Sequence, residues 1–154
     1  RNESFKDFFF FFNKKIKFLP IAVDEKFPNL KEFRVSWCSV QKISSENFKN
    51  LKKLEKLHLE NNQITSIEAD SFEDLTSLKW LDLRANKFSS LPENVFKHLK
   101  ELDYIDLSYN HLKSLTAQLF KNNRKLVEIS LSWNQIEEIP SNFFAGLTEV
   151  EKIE

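Results

Sequence analysis

The chain has 154 residues, one domain's worth, with 23 Lys or Arg against 23 Asp or Glu, so overall charge supplies no footprint for nucleic acid. A single glycine, Gly146, excludes phosphate-cradling Gly-rich loops and dinucleotide fingerprints, and a single cysteine, Cys38, excludes an intrachain disulfide. No apolar run approaches the roughly 18 residues of a membrane span, so none is expected.

Residues 1–29 are the least regular stretch and read as a degenerate first repeat or N-terminal edge. Asn2-Glu3-Ser4 matches a glycosylation acceptor and is weak evidence for secretion. Phe8–Phe12 is a run of five phenylalanines. Pro20 follows Leu19 as Pro92 follows Leu91 and Pro140 follows Ile139, which aligns Leu19 with later coils. Counting back turns Phe9 and Phe11 inward and Phe8, Phe10 and Phe12 outward. Placing Asn13 on the asparagine row with one inserted residue reverses the two sets, as any one-residue slip does. In either register several rings lie off the core side. They pack under a preceding coil, or they form an apolar patch for binding or self-association.

From residue 30 one line repeats. Leu54–Asn62 reads Leu-x-x-Leu-x-Leu-x-x-Asn, and it recurs at Leu78–Asn86, Leu102–Asn110 and Leu126–Asn134, each start 24 residues after the last. The array therefore covers 30–154, with repeats starting at 30, 54, 78, 102 and 126 and a partial one at 150. A fixed period of this length means a solenoid. Positions 4 and 6 alternate with polar neighbours, as in a half-buried strand; Leu81 and Leu83 are one such pair. Position 9 is Asn62, Asn86, Asn110 and Asn134, an amide that can both donate and accept toward the backbone of neighbouring coils. In the coil from Leu30 that place is taken by Cys38, a buried structural thiol rather than an activated one. Position 19 is Phe72, Phe96, Phe120 and Phe144, predicting one column of stacked rings on the convex side. Position 22 is Leu except at Asn123, which predicts a looser convex side over 121–125. Val150 and Ile153 begin a coil that is not completed. The polar cap such arrays need is missing, so either the protein continues or a partner covers that end. With Arg1 at its start and no visible signal peptide, the chain reads as a processed or trimmed piece.

This 24-residue pattern resembles the typical subfamily of leucine-rich repeats, as found in Toll-like receptor ectodomains, adhesion proteins and secreted immune recognition proteins of insects. The resemblance implies an α/β-type solenoid: a horseshoe with a parallel β-sheet on its concave face and an irregular or 3-10 convex side. It also implies an extracellular or secreted setting, although the cysteine-rich caps of those families are missing; a cytoplasmic setting is the alternative.

Strand positions 3, 5 and 7 then face the concave side, with 8 and 10 beside them. All three Trp and both Tyr fall on this set: Trp80 and Tyr104 at position 3, Trp37, Tyr109 and Trp133 at position 8. Trp and Tyr are the residues enriched at interface hot spots, so the set predicts a binding face. Position 5 reads Arg34, His58, Asp82, Asp106, Ser130, Glu154. Asp82 and Asp106 face each other across neighbouring strands, a like-charge pair that raises one carboxyl pKa, with Arg84 expected to offset it. The favoured reading of this row is a solvated charge network. A basic anchor site and a His58–Asp82–Asp106 metal site are the sharper ones, and Ser130 and Arg84 argue against the cation. Neither metal nor cofactor is expected.

The charge is also polarised: residues 1–60 hold 13 basic against 8 acidic side chains, residues 61–154 hold 10 against 15. That is chance asymmetry or the mark of an oriented partner. Taken together, the residues predict a non-enzymatic module that recognises a protein partner. The partner surface comprises Trp37, His58, Trp80, Asp82, Arg84, Tyr104, Asp106, Tyr109 and Trp133. The alternative is a scaffold that self-associates through its open ends and the Phe-rich segment. An open sheet rarely supplies the water-excluding pocket an enzyme needs.

Overall fold

A computed structural model describes residues 8–154; Asn2-Glu3-Ser4 and the side chain of Phe8 lie outside what is described. Seven short strands form one parallel sheet: β1 (Phe8–Phe11), β2 (Glu32–Val35), β4 (Lys56–His58), β6 (Trp80–Asp82), β7 (Tyr104–Asp106), β8 (Glu128–Ser130) and β9 (Lys152–Ile153), neighbours in that order. A second, two-stranded sheet pairs β3 (Lys42–Ile43) with β5 (Ser66–Ile67) farther round the coil. Among the described residues helix is confined to α1 (Val23–Lys26) and one 3-10 turn, Ser45–Asn47; the rest of the convex side is turns.

The 24-residue period is also the register. Leu57 pairs Leu81, Leu81 pairs Ile105 and Ile105 pairs Ile129, so each strand repeats its predecessor one coil on. Parallel strands need a long crossover, and each coil supplies it. β1 joins with Phe9 opposite Phe33 and Phe11 opposite Val35, which selects the register that turns Phe9 and Phe11 inward. Phe9 stacks on Phe33 with ring centroids 4.8 Å apart. Phe11 remains 43% exposed at its inward position, because no coil of the described residues lies on its far side.

The asparagine row works as its chemistry requires. Asn86 Oδ1 accepts from Ile64 N–H at 3.0 Å, and its Nδ2 donates to Leu59 O at 2.9 Å and Leu83 O at 3.1 Å. Asn62, Asn110 and Asn134 repeat the arrangement one coil apart. Cys38 closes the row: its thiol is buried, accepts from Asn13 N–H at 3.3 Å and donates to Ser36 O at 3.3 Å.

Two expectations for the convex side are corrected. The ring column runs Phe48, Phe72, Phe96, Phe120, with centroids 5.7–6.1 Å apart, and then passes to Phe143 rather than Phe144. Position 18 points inward as well, occupied by Ser71, Val95 and Leu119 in earlier coils. In the last full coil the larger Phe143 reaches Phe120 from there, and Phe144, which no further full coil covers, is 42% exposed. Nor is 121–125 left open by Asn123. That side chain is fully buried, and its Nδ2 donates to Phe96 O at 2.9 Å and Leu99 O at 2.8 Å, replacing apolar contact by two hydrogen bonds. Lys121 in turn packs so closely under the next coil that a Cβ on Gly146 would stand 2.6 Å from its carbonyl oxygen.

Candidate functional site

The concave face is a lattice whose columns are strands and whose rows are repeat positions. Row 3 runs Glu32, Lys56, Trp80, Tyr104, Glu128, Lys152; row 5 runs Arg34, His58, Asp82, Asp106, Ser130. The two aromatic residues of row 3 are register partners, and Trp80 stacks on Tyr104 with centroids 3.6 Å apart and planes 12° from parallel. Both are half-buried, so the pair is a pre-ordered plate rather than two free rings.

Row 5 is buried, not solvated: His58 and Asp82 are each 7% exposed and Asp106 5%. The row 3 rings lie against it, Trp80 with its centroid 6.4 Å from that of His58 and Tyr104 with its hydroxyl on Asp106, and Arg34, half-buried at the end of the row, reaches across to Glu60. Burial has electrical consequences. Asp82 is pushed up to about 6, mainly by desolvation, with the Glu60 and Asp106 carboxylates adding to it. His58 is pushed down to about 4 by desolvation and by the Arg34 guanidinium, so it is neutral at pH 7. Arg84 offsets the Asp82 shift in part, as expected: its backbone N–H donates to Asp82 Oδ1 at 3.0 Å and its positive charge also favours the Asp82 carboxylate, although the side chain is exposed and forms no ion pair among the described residues. Asp106 is held by Ser108, whose N–H donates to Oδ1 at 2.8 Å, and by the Tyr104 hydroxyl on Oδ2 at 3.4 Å.

Glu60, Ser36 and Glu32 belong to this patch although sequence reading did not single them out. The available signal was their place at positions 7 and 3 on either side of His58. Arg34 pairs with Glu60 Oε1 at 3.1 Å and with Glu32 at 3.7 Å, and Glu32 stands 3.5 Å from His58 Nε2. Five buried side-chain polar atoms among the described residues have no hydrogen-bond partner. Four of them, Ser36 Oγ, His58 Nε2, Glu60 Oε2 and Trp80 Nε1, share this one patch. Native structures leave few such atoms, and each costs about 1–3 kcal/mol.

The remaining predicted residues stand apart from that centre. Trp37, Tyr109 and Trp133 occupy the turn that ends each strand, where position 8 is left-handed in every coil: Trp37, Asn61, Ala85, Tyr109 and Trp133 have φ between 53 and 58°. A left-handed backbone turns the side chain outward, and these three rings are 57%, 52% and 73% exposed. Tyr109 and Trp133 stack with centroids 5.5 Å apart, forming a rim beside Ser108, Ser130 and Ser132. The nine predicted residues thus divide into a half-buried centre around His58, Trp80, Tyr104, Asp82 and Asp106, and an exposed rim.

Comparison with known proteins agrees with this geometry. Residues 28–88, 78–136 and 105–154 match the family model described as leucine rich repeat. Among solved structures the chain is similar to TLR13 in its complex with ssRNA13, at 27% identity and a TM-score of 0.79 over 90% of this chain. That alignment spans 21% of the TLR13 chain, so the present sequence corresponds to about a fifth of it. No curated protein matches the chain in sequence.

Proposed function

The chain belongs to the leucine-rich repeat family, and on that premise we propose that it is a non-enzymatic recognition module whose concave face captures a protein partner. The observation that carries this reading is the cluster of four unpartnered polar atoms beside the Trp80–Tyr104 plate. A partner whose docking lets these side chains turn to its own donors and acceptors recovers free energy the isolated protein has lost. The plate supplies the large apolar contact at which binding energy concentrates. The setting we infer is extracellular, immune or adhesive, because the repeat resembles families that work there.

A protein ligand fits this surface better than a nucleic acid. The centre carries Glu32, Glu60, Asp82 and Asp106 against Arg34, Lys56 and Arg84, a balance without the basic excess that phosphate binding needs. The test is an alanine scan against a captured partner. Trp80→Ala and Tyr104→Ala weaken binding by about 2 kcal/mol or more, the hot-spot scale, while convex Lys97→Ala is silent. Binding lost with Lys97→Ala and kept with Trp80→Ala and Tyr104→Ala refutes the concave assignment. Tight binding of single-stranded RNA that falls steeply with salt refutes the choice of partner.

A second reading rests on a different observation. Phe12, Phe18 and Ile21 are 61%, 75% and 67% exposed at the N-terminal side of the array. We infer that this apolar edge favours self-association. Concentration-dependent sedimentation separates a monomeric recognition module from a scaffold.

A further inference from the structure

One nitrogen of His58 and one carboxylate oxygen from each of Glu60 and Asp82 lie within 4.8 Å of one another. The fold brings them together by register: His58 pairs Asp82 across β4 and β6, and Glu60 follows His58 by two residues on the same face. We propose that these three side chains bind a divalent cation of the zinc class on the concave face, independently of any protein partner.

The donor set is one imidazole nitrogen and two carboxylate oxygens, which zinc accepts and magnesium, with its demand for six oxygens, does not. The charges match. Arg34 takes Glu60 Oε1, leaving Oε2 buried with no donor, and Asp82 has no ion-pair partner among the described residues. Arg34 is shared between Glu60 and Glu32, so with Asp82 three carboxylates face one guanidinium, and a doubly charged ion makes up the difference. His58 is buried beside the two carboxylates. The surroundings orient the ligands. Arg34 holds Glu60 and the Arg84 N–H holds Asp82. Glu32 lies 3.5 Å from the His58 ring, as a carboxylate commonly does beside a metal-bound histidine. Bonds of about 2.1 Å in a tetrahedron separate ligand atoms by about 3.4 Å, so the side chains close by about an ångström on binding. The strands need not move. Three protein ligands leave a fourth position for water or for a group brought by another molecule.

The test is calorimetric titration of the tag-free, metal-stripped chain with zinc ion alone, with magnesium ion as comparison. One equivalent of zinc binds and magnesium gives no signal. His58→Ala and Asp82→Asn weaken zinc binding about tenfold or more, since even residues behind a ligand cost that much. Asp106→Asn and the double change His98→Ala/His111→Ala leave it intact. Each variant is first shown to keep the far-ultraviolet circular dichroism of the parent. A measurement on the unmutated chain covers the case in which a variant does not fold: with histidine labelled for NMR, zinc shifts the ring signals of His58 and not those of His98 and His111. No stoichiometric zinc binding, binding that survives loss of His58 and Asp82, or shifts confined to His98 and His111 overturns the proposal.

Discussion

Asn86→Ala is the perturbation that tests the physical account of the array most directly. The side chain is 4% exposed and makes four hydrogen bonds to two coils: it accepts from Ile64 N–H and donates to Leu59 O, Leu83 O and, at a longer 3.3 Å, Arg84 O. Their losses are not equal. Leu59 O also receives Asn62 Nδ2 at 3.0 Å, and Leu83 O also receives Asn110 Nδ2 at 3.1 Å, so each carbonyl keeps one donor after truncation. Ile64 N–H has no second acceptor and is stranded. An orphaned buried N–H costs about 1–3 kcal/mol, and each shared hydrogen bond about 0.5 kcal/mol, the low end of the usual range, because the carbonyl stays partnered. The sum is about 2–4 kcal/mol. Asn62→Ala should cost more. Its Nδ2 donates to Val35 O at 2.7 Å, and position 9 of that coil is Cys38, so no second row amide shares the carbonyl. Urea unfolding followed by far-ultraviolet circular dichroism measures both. If Asn86→Ala unfolds within about 0.5 kcal/mol of the parent, the ordinary range of surface substitutions, the row is not what satisfies the inner turn. If Asn62→Ala is the milder change, the shared-carbonyl reasoning fails.

Other outcomes follow from the same packing. Phe96→Ala and Phe143→Ala should each cost about 3–5 kcal/mol in the same assay, and Phe144→Ala about 1 kcal/mol or less; equal costs at 143 and 144 would return the column to the strict 24-residue step. Gly146→Ala should cost about 1–3 kcal/mol, because its Cβ meets the Lys121 backbone carbonyl rather than a side chain that can swing away; an unchanged urea midpoint would show that the coils there can part. Cys38 should react with a thiol reagent in the native state far more slowly than in urea, being 4% exposed beneath Asn13; comparable rates would remove it from the inner row.

The one-dimensional part of this protein was legible in its sequence. A 24-residue period, alternating Leu at positions 4 and 6 and an Asn at position 9 together dictate stacked coils, a parallel sheet and a buried amide row. Each of these depends only on which residue stands above which, and a strict period settles that. The choice of Phe143 over Phe144 was not legible, because both positions point inward and only the filling of space beside Phe120 separates them. Asn123 was misread for a related reason: a polar residue among leucines signals looseness until the carbonyls of Phe96 and Leu99 are seen within its reach. The candidate site was legible as a face and not as a centre. Periodicity put Trp80, Tyr104, His58, Asp82 and Asp106 on one side of the sheet. It could not tell that His58, Asp82 and Asp106 are buried, that Arg84 turns to solvent, or that Glu60 rather than Asp106 joins His58 and Asp82. Those depend on rotamers and on how tightly neighbouring columns crowd one another. Only the three-dimensional arrangement decides which polar atoms are buried and which of them have no hydrogen-bond partner.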